Sequence, residues 1–192
     1  MEFNSIEKKE EGKFITRYDI TYTTVDHKKK VYEMISRNKN LTTQEELSDH
    51  PADSVVLIMH DKTGERLLLN REFRMACGDF VYNFPAGLID PGEEFMESAG
   101  RELREETGLT LVQVNDILGE SFSAIGFSNE KNVCVVGVAE GEFAPSTSTV
   151  EEISTMVHKS GSSQAIEGRI FCCQNAKLLL SVEQRIEINN FI

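Results

Sequence analysis

The chain has 192 residues, 40% of them hydrophobic, and a formal net charge of −12, which suits one ordinary core with a small appendage. The acidic balance argues against a nucleic-acid partner, because the basic run at residues 28–30 falls in a predicted turn. No apolar run approaches the roughly 18 residues of a membrane span, and the start, MEFNSIEKKEEGK, lacks an apolar signal-peptide centre, so a cytoplasmic protein that engages no membrane is expected.

Residues 13–37 read as two strands joined around residues 26–28, with Phe14, Thr16, Tyr18, Ile20 and Tyr22 on one face of the first. An isolated hairpin is marginal in water, so this one is expected to pack on the domain or on a second subunit. The expected division is therefore a hairpin region over 1–40 and a main domain over 41–192. Residues 38–52 read as a polar linker, with Thr42 and Glu45 as a capping box for one helical turn. Two apolar strands follow at 54–60 (SVVLIMH) and 66–73 (RLLLNREF). They flank Asp61-Lys62-Thr63-Gly64, where the aspartate reads as a turn former because the calcium-loop pattern fails at its third and sixth positions. A further strand at 80–84 leads through Pro85 and Ala86 into the most informative stretch of the chain.

That stretch, from Gly87 to Leu109, reads GLIDPGEEFMESAGRELREETGL. Residues 93–107 contain no proline, and Gly108 supplies a stop, so a helix is expected. At about 100° per residue, Glu102, Glu105 and Glu106 share one arc, while Phe95, Met96, Ala99 and Leu103 share the neighbouring one. Like charges at such spacing, near 6 Å, repel by about 1 to 3 kcal/mol per pair. A hard divalent cation such as Mg²⁺ or Mn²⁺ would offset this, since it takes carboxylate and carbonyl oxygens and keeps waters that a phosphate can replace. For an isolated ExxEE the ordinary reading is a solvated helix face, and the surrounding pattern is what changes the balance.

Beyond the helix, strands are expected within 110–122 and at 132–139 (NVCVVGVA), with loops at 123–130 and 141–152 and a last strand at 153–158. Helical spacing of Cys172, Cys173, Ala176, Leu179, Leu180 and Ile186 predicts a C-terminal helix over 171–187. The four cysteines show no CxxC spacing and read as reduced packing thiols.

Gly87, Glu93, Arg101, Glu102, Leu103, Glu105, Glu106, Gly108 and Leu109 fill every fixed position of a pattern that resembles the Nudix box. The resemblance implies an α/β/α sandwich with a mixed sheet, and hydrolysis of a nucleoside diphosphate linked to another group. It also implies Glu102, Glu105, Glu106 and the Ala86 carbonyl as metal ligands, with Glu93 and Arg101 as a charge pair that orients them. The stretch LLNREFRMACGDFVYNFPAGLID resembles the ADP-ribose pyrophosphatase branch, in which Arg74 matches a substrate-contacting arginine. That branch, with relatives acting on GDP-mannose, has an N-terminal hairpin exchanged in a homodimer, and residues 13–37 fit it.

A Ser-Pro-Gly loop ending in glutamate is usual there. Here Ala124-Ile125-Gly126 through Glu130 keeps only the glycine and the glutamate, leaving Glu130 as a candidate substrate or metal contact. The general base of the branch often lies in a late loop, where Glu151 and Glu152 stand. The expectation is thus Mg²⁺- or Mn²⁺-dependent cleavage of a nucleoside diphosphate sugar, ADP-ribose first and GDP-mannose second. A non-catalytic sensor would keep the fold without turnover, but the intact ligand positions and the lack of a basic DNA-binding segment count against it.

Overall fold

The computed structural model describes residues 1–147 and 152–158, and the backbone of 169–170. Contacts divide the chain into two compact units, Met1–Asp53 with Glu120–Asn132, and Ser54–Gly119 with Val133–Ile192. The first is larger than the hairpin region expected over 1–40, because it takes in residues 41–53 and a distant loop.

In the N-terminal unit the expected hairpin is present. Strands β2 (Thr16–Thr23) and β3 (Lys29–Ser36) run antiparallel in unbroken register from Thr16↔Ser36 to Thr23↔Lys29. The intervening turn closes through the Thr24 amide on the Lys28 carbonyl, at 2.9 Å. Strand β1 (Glu2–Glu11) pairs antiparallel with β2 and was not anticipated, since EFNSIEKKEE carries only Phe3 and Ile6 as apolar markers. Alternation buries Thr16, Tyr18 and Ile20, and Met34, Leu41, Phe3, Ile6 and Leu47 cluster with Tyr18 and Ile20. Much of the cover for this ribbon therefore comes from its own unit, while Phe14, two residues ahead of β2, stays 66% exposed. The Tyr18 hydroxyl donates to the Asn38 carbonyl (2.8 Å) and accepts from the Leu41 amide (3.3 Å), which fastens the following segment. There the cap is shifted by one residue from the expected Thr42/Glu45. Glu46 accepts from the Thr42 and Thr43 amides (2.7 and 3.1 Å) and donates its own amide to Thr43 Oγ1 (3.4 Å), ahead of the single 3-10 turn Glu45–Leu47.

The second unit is built on a sheet of order β11-β6-β5-β4-β9-β8, with β10 on β5 and β7 on β4. Its strands are β4 (Ser54–His60), β5 (Arg66–Arg74), β6 (Asp79–Asn83), β7 (Ala86–Leu88), β8 (Thr110–Phe122), β9 (Lys131–Glu140), β10 (Ile153–His158) and β11 (Arg169–Ile170). The outer ends of β8 and β9 are counted with the N-terminal unit. The β11–β6 pairing is parallel and β5–β6 antiparallel, so the sheet is mixed, as expected. SVVLIMH is apolar on both faces because β4 is central. Val56 and Ile58 join Leu67, Leu69, Phe84 and Cys134 in one cluster, while the alternate residues Val55, Leu57 and Met59 are fully buried too. Strand β7 escaped the sequence reading because three residues give no periodicity. The Asp61 turn is as expected: its carboxylate accepts from the Arg66 side chain (2.8 Å) and the Glu65 amide (3.1 Å). Burial alone would raise its pKa, but the Arg66 side chain and amide and the Thr63 hydroxyl hold it well below the usual carboxylate range. Of the thiols, Cys134 packs in the core, whereas Cys77 is exposed at the β5–β6 turn.

Helix α1 (Phe95–Thr107) packs on β4 and β7 and begins two residues later than expected, because Glu94 is extended and donates its amide to the Glu97 side chain (3.3 Å). It ends at Gly108, in the left-handed region with φ 80°, whose amide bonds the Arg104 carbonyl at 2.9 Å. The loop after β9 satisfies the last carbonyls of α1, through the Ala144 amide on Thr107 (3.0 Å) and the Thr147 amide on Glu105 (2.9 Å). No helix among the described residues is long and apolar enough to cross a membrane. The predicted helix over 171–187, with Cys172 and Cys173, lies outside the described residues.

Gly108 and Gly100 make opposite demands on a side chain. A Cβ at Gly108 would meet the Ala144 amide nitrogen at 2.6 Å in a backbone conformation already strained for an L residue, whereas one at Gly100 meets nothing within 4 Å. Gly108→Ala is expected to cost about 1 to 3 kcal/mol, and Gly100→Ala to add about 0.5 to 1 kcal/mol. Urea unfolding of the two variants checks both signs.

Candidate functional site

Glu93, Arg101, Glu102, Glu105, Glu106 and Glu152 gather along α1, which packs on β4, β7 and β10. Arg101, on α1, is the hub. Its Nε and Nη2 grip the two oxygens of Glu93 (3.0 and 2.8 Å), Nη1 reaches Glu102 Oε1 (2.7 Å) and Glu105 Oε2 (3.3 Å), and Nη2 also donates to the Leu88 carbonyl (3.1 Å). The bidentate bond from Arg101 and the Ser98 hydroxyl (2.5 Å) bring Glu93 down to about 2. The guanidinium is held charged in return by Glu93 and Glu102. The expected orienting pair is thus present as geometry, and it fastens the loop before α1 to the acidic arc of the helix.

Gly87 has its place for a steric reason. A Cβ there would overlap the Glu102 carboxylate, so the acid lies directly against β7. Burial raises the pKa of Glu102, with Arg101 opposing and Glu105 adding to the rise. Ala86, whose carbonyl is the fourth expected ligand, is the exposed first residue of β7 and pairs with Val56 of β4.

Glu106 is buried one turn further along α1. Burial, then the neighbouring carboxylates of Glu152, Glu102 and Glu72, push it up to about 9, against the opposing hydrogen bond from Asn70. Glu152 is the late-loop glutamate that the structure describes; Glu151 lies outside the described residues. The register of β10 explains its position. Ser154 sits opposite Asn70 of β5, and a period of two puts Glu152 on the same side of the strand as Ser154. Glu152 Oε1 accepts from Asn70 Nδ2 (2.6 Å) and Oε2 from the Ser146 hydroxyl (3.1 Å), and burial raises its pKa.

Arg74 and Glu130 have other partners. Arg74, at the exposed end of β5, pairs with Glu72 (2.6 Å), which also accepts from Asn83 Nδ2 (2.6 Å). The Arg74 charge opposes, without cancelling, the rise that burial causes in the Glu152 pKa. Glu130 belongs to the N-terminal unit, where its carboxylate takes a 2.6 Å bond from Arg37 Nε.

Sequence reasoning missed Asn70, Glu72, Ser146 and Ser154. A signal existed for two of them. Leu68, Asn70, Glu72 and Arg74 alternate along β5, so a polar row begins on a strand whose first half is core. The serines depend on the β10 register and the loop path, which no local pattern encodes.

The donor set suits a hard cation. Three carboxylates, Glu102, Glu106 and Glu152, crowd together, all with raised pKa, and the Gly87 cradle leaves room only for the Glu102 carboxylate. Among the described residues no three such groups form a ready-made cage, and Glu105 is turned toward Arg101. A Mg²⁺ site built around a phosphate substrate needs only one or two carboxylates, its remaining ligands being waters and phosphate oxygens.

A model of the NUDIX domain matches residues 50–159, more than half of the chain. Relatives include an ADP-ribose pyrophosphatase of Saccharomyces cerevisiae, 37% identical over 86 residues that make up 43% of this chain and 35% of that protein. An ADP-sugar pyrophosphatase of Mus musculus is 32% identical over 98 residues, 51% of this chain and 43% of that protein. An ADP-ribose pyrophosphatase of Bacillus subtilis is 31% identical over 88 residues, 46% of each. The chain therefore aligns with less than half the length of each of these three. The crystal structure of an ADP compounds hydrolase superposes with a TM-score of 0.61 at 21% identity, covering 82% of this chain and 79% of that one, and so shares the fold. With every fixed position of the box filled and set in this geometry, the chain belongs to the NUDIX family.

Proposed function

We propose that the chain is a divalent-cation-dependent hydrolase of nucleoside diphosphate sugars, cleaving ADP-ribose to AMP and ribose 5-phosphate. The observation that carries this reading is the buried pair Glu106 and Glu152 beside Glu102, three acids near which, among the described residues, Arg101 pairs with Glu102 and Arg74 with Glu72. Glu102, Glu105, Glu106 and the Ala86 carbonyl would hold Mg²⁺ or Mn²⁺. Such a cation neutralises the diphosphate and makes a water at phosphorus more acidic. Glu152 takes the proton of that water as its oxygen bonds phosphorus and the bridging P–O bond breaks, and a raised carboxyl pKa suits that task near neutral pH. Arg101 fixes the directions of Glu102 and Glu105, and Arg74 exchanges Glu72 for a phosphate oxygen. A non-catalytic sensor would have no use for a second buried carboxylate facing the box. A cytoplasmic location belongs to the same proposal, supported by the exposed free thiol of Cys77.

The cation part is read without turnover. Without metal, folded Glu106 keeps its proton up to about 9 against 4.5 for an unperturbed carboxyl, while the unfolded chain releases it near the lower value. Folded Glu106 thus binds more protons between those limits, so this group lowers stability as pH rises from 4.5 to about 9 and has no effect below. Glu106→Gln should melt at or above the wild-type temperature in EDTA at pH 8, with a smaller difference at pH 5. Mn²⁺ should raise the wild-type melting temperature and leave the variant nearly unmoved. An equal Mn²⁺ shift in both proteins would remove Glu106 from the ligand set.

Substrate preference is read by competition. With ADP-ribose, GDP-mannose and ATP at equal concentration, AMP and ribose 5-phosphate should accumulate fastest. The relatives support ADP-ribose, whereas the loop at 124–126 lacks the Ser-Pro of that branch, which keeps GDP-mannose as the rival. Faster consumption of GDP-mannose would move the assignment to that sugar, and faster consumption of ATP would overturn the nucleotide-sugar class.

The proposal also includes a homodimer joined through the N-terminal unit, where Phe14, Val25 and Val31 are exposed. Light scattering of the full chain should give the mass of two copies. A single-copy mass at micromolar concentration would rule the dimer out.

A further inference from the structure

Among the groups that the box does not supply, Asn70 is the most constrained. It sits in the middle of β5 with 0% of its surface exposed, and all of its hydrogen-bonding groups are used. One Nδ2 hydrogen goes to Glu106 Oε2 at 2.9 Å and the other to Glu152 Oε1 at 2.6 Å, while Oδ1 accepts from the Ser154 hydroxyl at 2.8 Å. In this orientation the amide nitrogen faces the two acids and the oxygen faces the Ser154 hydroxyl. The neighbours Leu68 and Leu69 are buried and apolar, so packing alone would favour another aliphatic side chain here.

We propose that Asn70 is a positioning residue that fixes Glu106 and Glu152 relative to each other, with one hydrogen for the cation ligand and one for the proton acceptor. The inference rests on the roles proposed above for those two glutamates. Its physical basis is the planar amide. Two N–H bonds diverge from one nitrogen, so the acceptor oxygens are held about 5 Å apart on opposite sides of it. A hydroxyl could donate to only one of them, and an aliphatic residue to neither. Ser154 sets the rotation of the amide, and the β10 register sets Ser154, so the separation of the two acids is fixed by strand pairing and not by the loop that carries Glu152.

The test is a double-mutant cycle between Asn70→Leu and Glu152→Gln, read as kcat and KM for ADP-ribose with Mg²⁺ saturating and melting temperatures recorded. Leucine keeps the branched shape, with methyl groups somewhat larger than the amide oxygen and nitrogen, and removes both donors. We expect Asn70→Leu to lower kcat about 10- to 100-fold with KM changed less than about threefold, and to cost little further once Glu152 is already Gln. Mn²⁺ affinity by calorimetry should fall too, because Glu106 loses its donor. Should Asn70→Leu fail to fold, Asn70→Ser replaces it in the cycle, and Ser154→Ala should give a smaller loss of kcat in the same direction. Near-normal kcat for the Asn70 variant beside an impaired Glu152→Gln would overturn the positioning role alone. So would a loss of equal size in both backgrounds, which is what a purely structural residue would give. An unimpaired Glu152→Gln would overturn the role of Glu152 and this inference with it.

Discussion

The site depends first on one guanidinium. Arg101 faces Glu93, Glu102 and Glu105, and its donors are directed at all three and at the Leu88 carbonyl. Without it the acidic arc of α1 would consist of like charges separated by one turn, a repulsion of about 1 to 3 kcal/mol per pair. The bidentate grip on Glu93 adds direction, since a planar fork binds a carboxylate in one orientation only. The loop from Leu88 to Glu93 is therefore fixed to the helix face that it precedes. Lysine would carry the same charge but not this geometry.

A second constraint comes from the sheet. Strand β5 begins as core, with Leu67, Leu68 and Leu69 buried, and then turns polar at Asn70, Glu72 and Arg74. Strand β10 pairs along it from Arg71↔Ile153 to Arg66↔His158, so that Glu152 arrives at the point where polarity begins. A slip of one residue in that register would exchange the sides of Ser154 and Ile153 and carry Glu152 away from Glu106. The loop that caps the C-terminal carbonyls of α1 also supplies Ser146 to Glu152. Ending the helix and orienting the acid are thus tasks of one segment.

Much of this was legible in the sequence. The Gly87–Leu109 pattern identifies α1, the arc of Glu102, Glu105 and Glu106, and the Glu93–Arg101 pair, because helical period and turn chemistry are local properties. The apolar runs of β4 and β9 and the hairpin of β2 and β3 are legible for the same reason. What was not legible depends on distant pairing. Strand β1 is almost wholly polar and acquires its meaning only against β2, while β7 is too short to show a period. Asn70 reads as one polar residue in an apolar strand until the β10 register gives it two carboxylates. Glu130 shows the converse: its place in the chain matched a family position, and its carboxylate is bound by Arg37, a partner 93 residues away.

The division of labour in the site follows from burial. Glu93 and Glu105 stand toward solvent, both within reach of the Arg101 guanidinium, which lowers the pKa of Glu93. Glu106 and Glu152 stand inside, where among the described residues no arginine hydrogen-bonds either and a neutral amide is their shared donor. A cation placed between them as a permanent salt bridge would satisfy both acids and leave neither able to take a metal or a proton. Asparagine supplies enough hydrogen bonding to keep the pair buried but not enough charge to quench it. The inner acids therefore stay under-compensated, and that residual demand for positive charge is what a divalent cation with a diphosphate can meet.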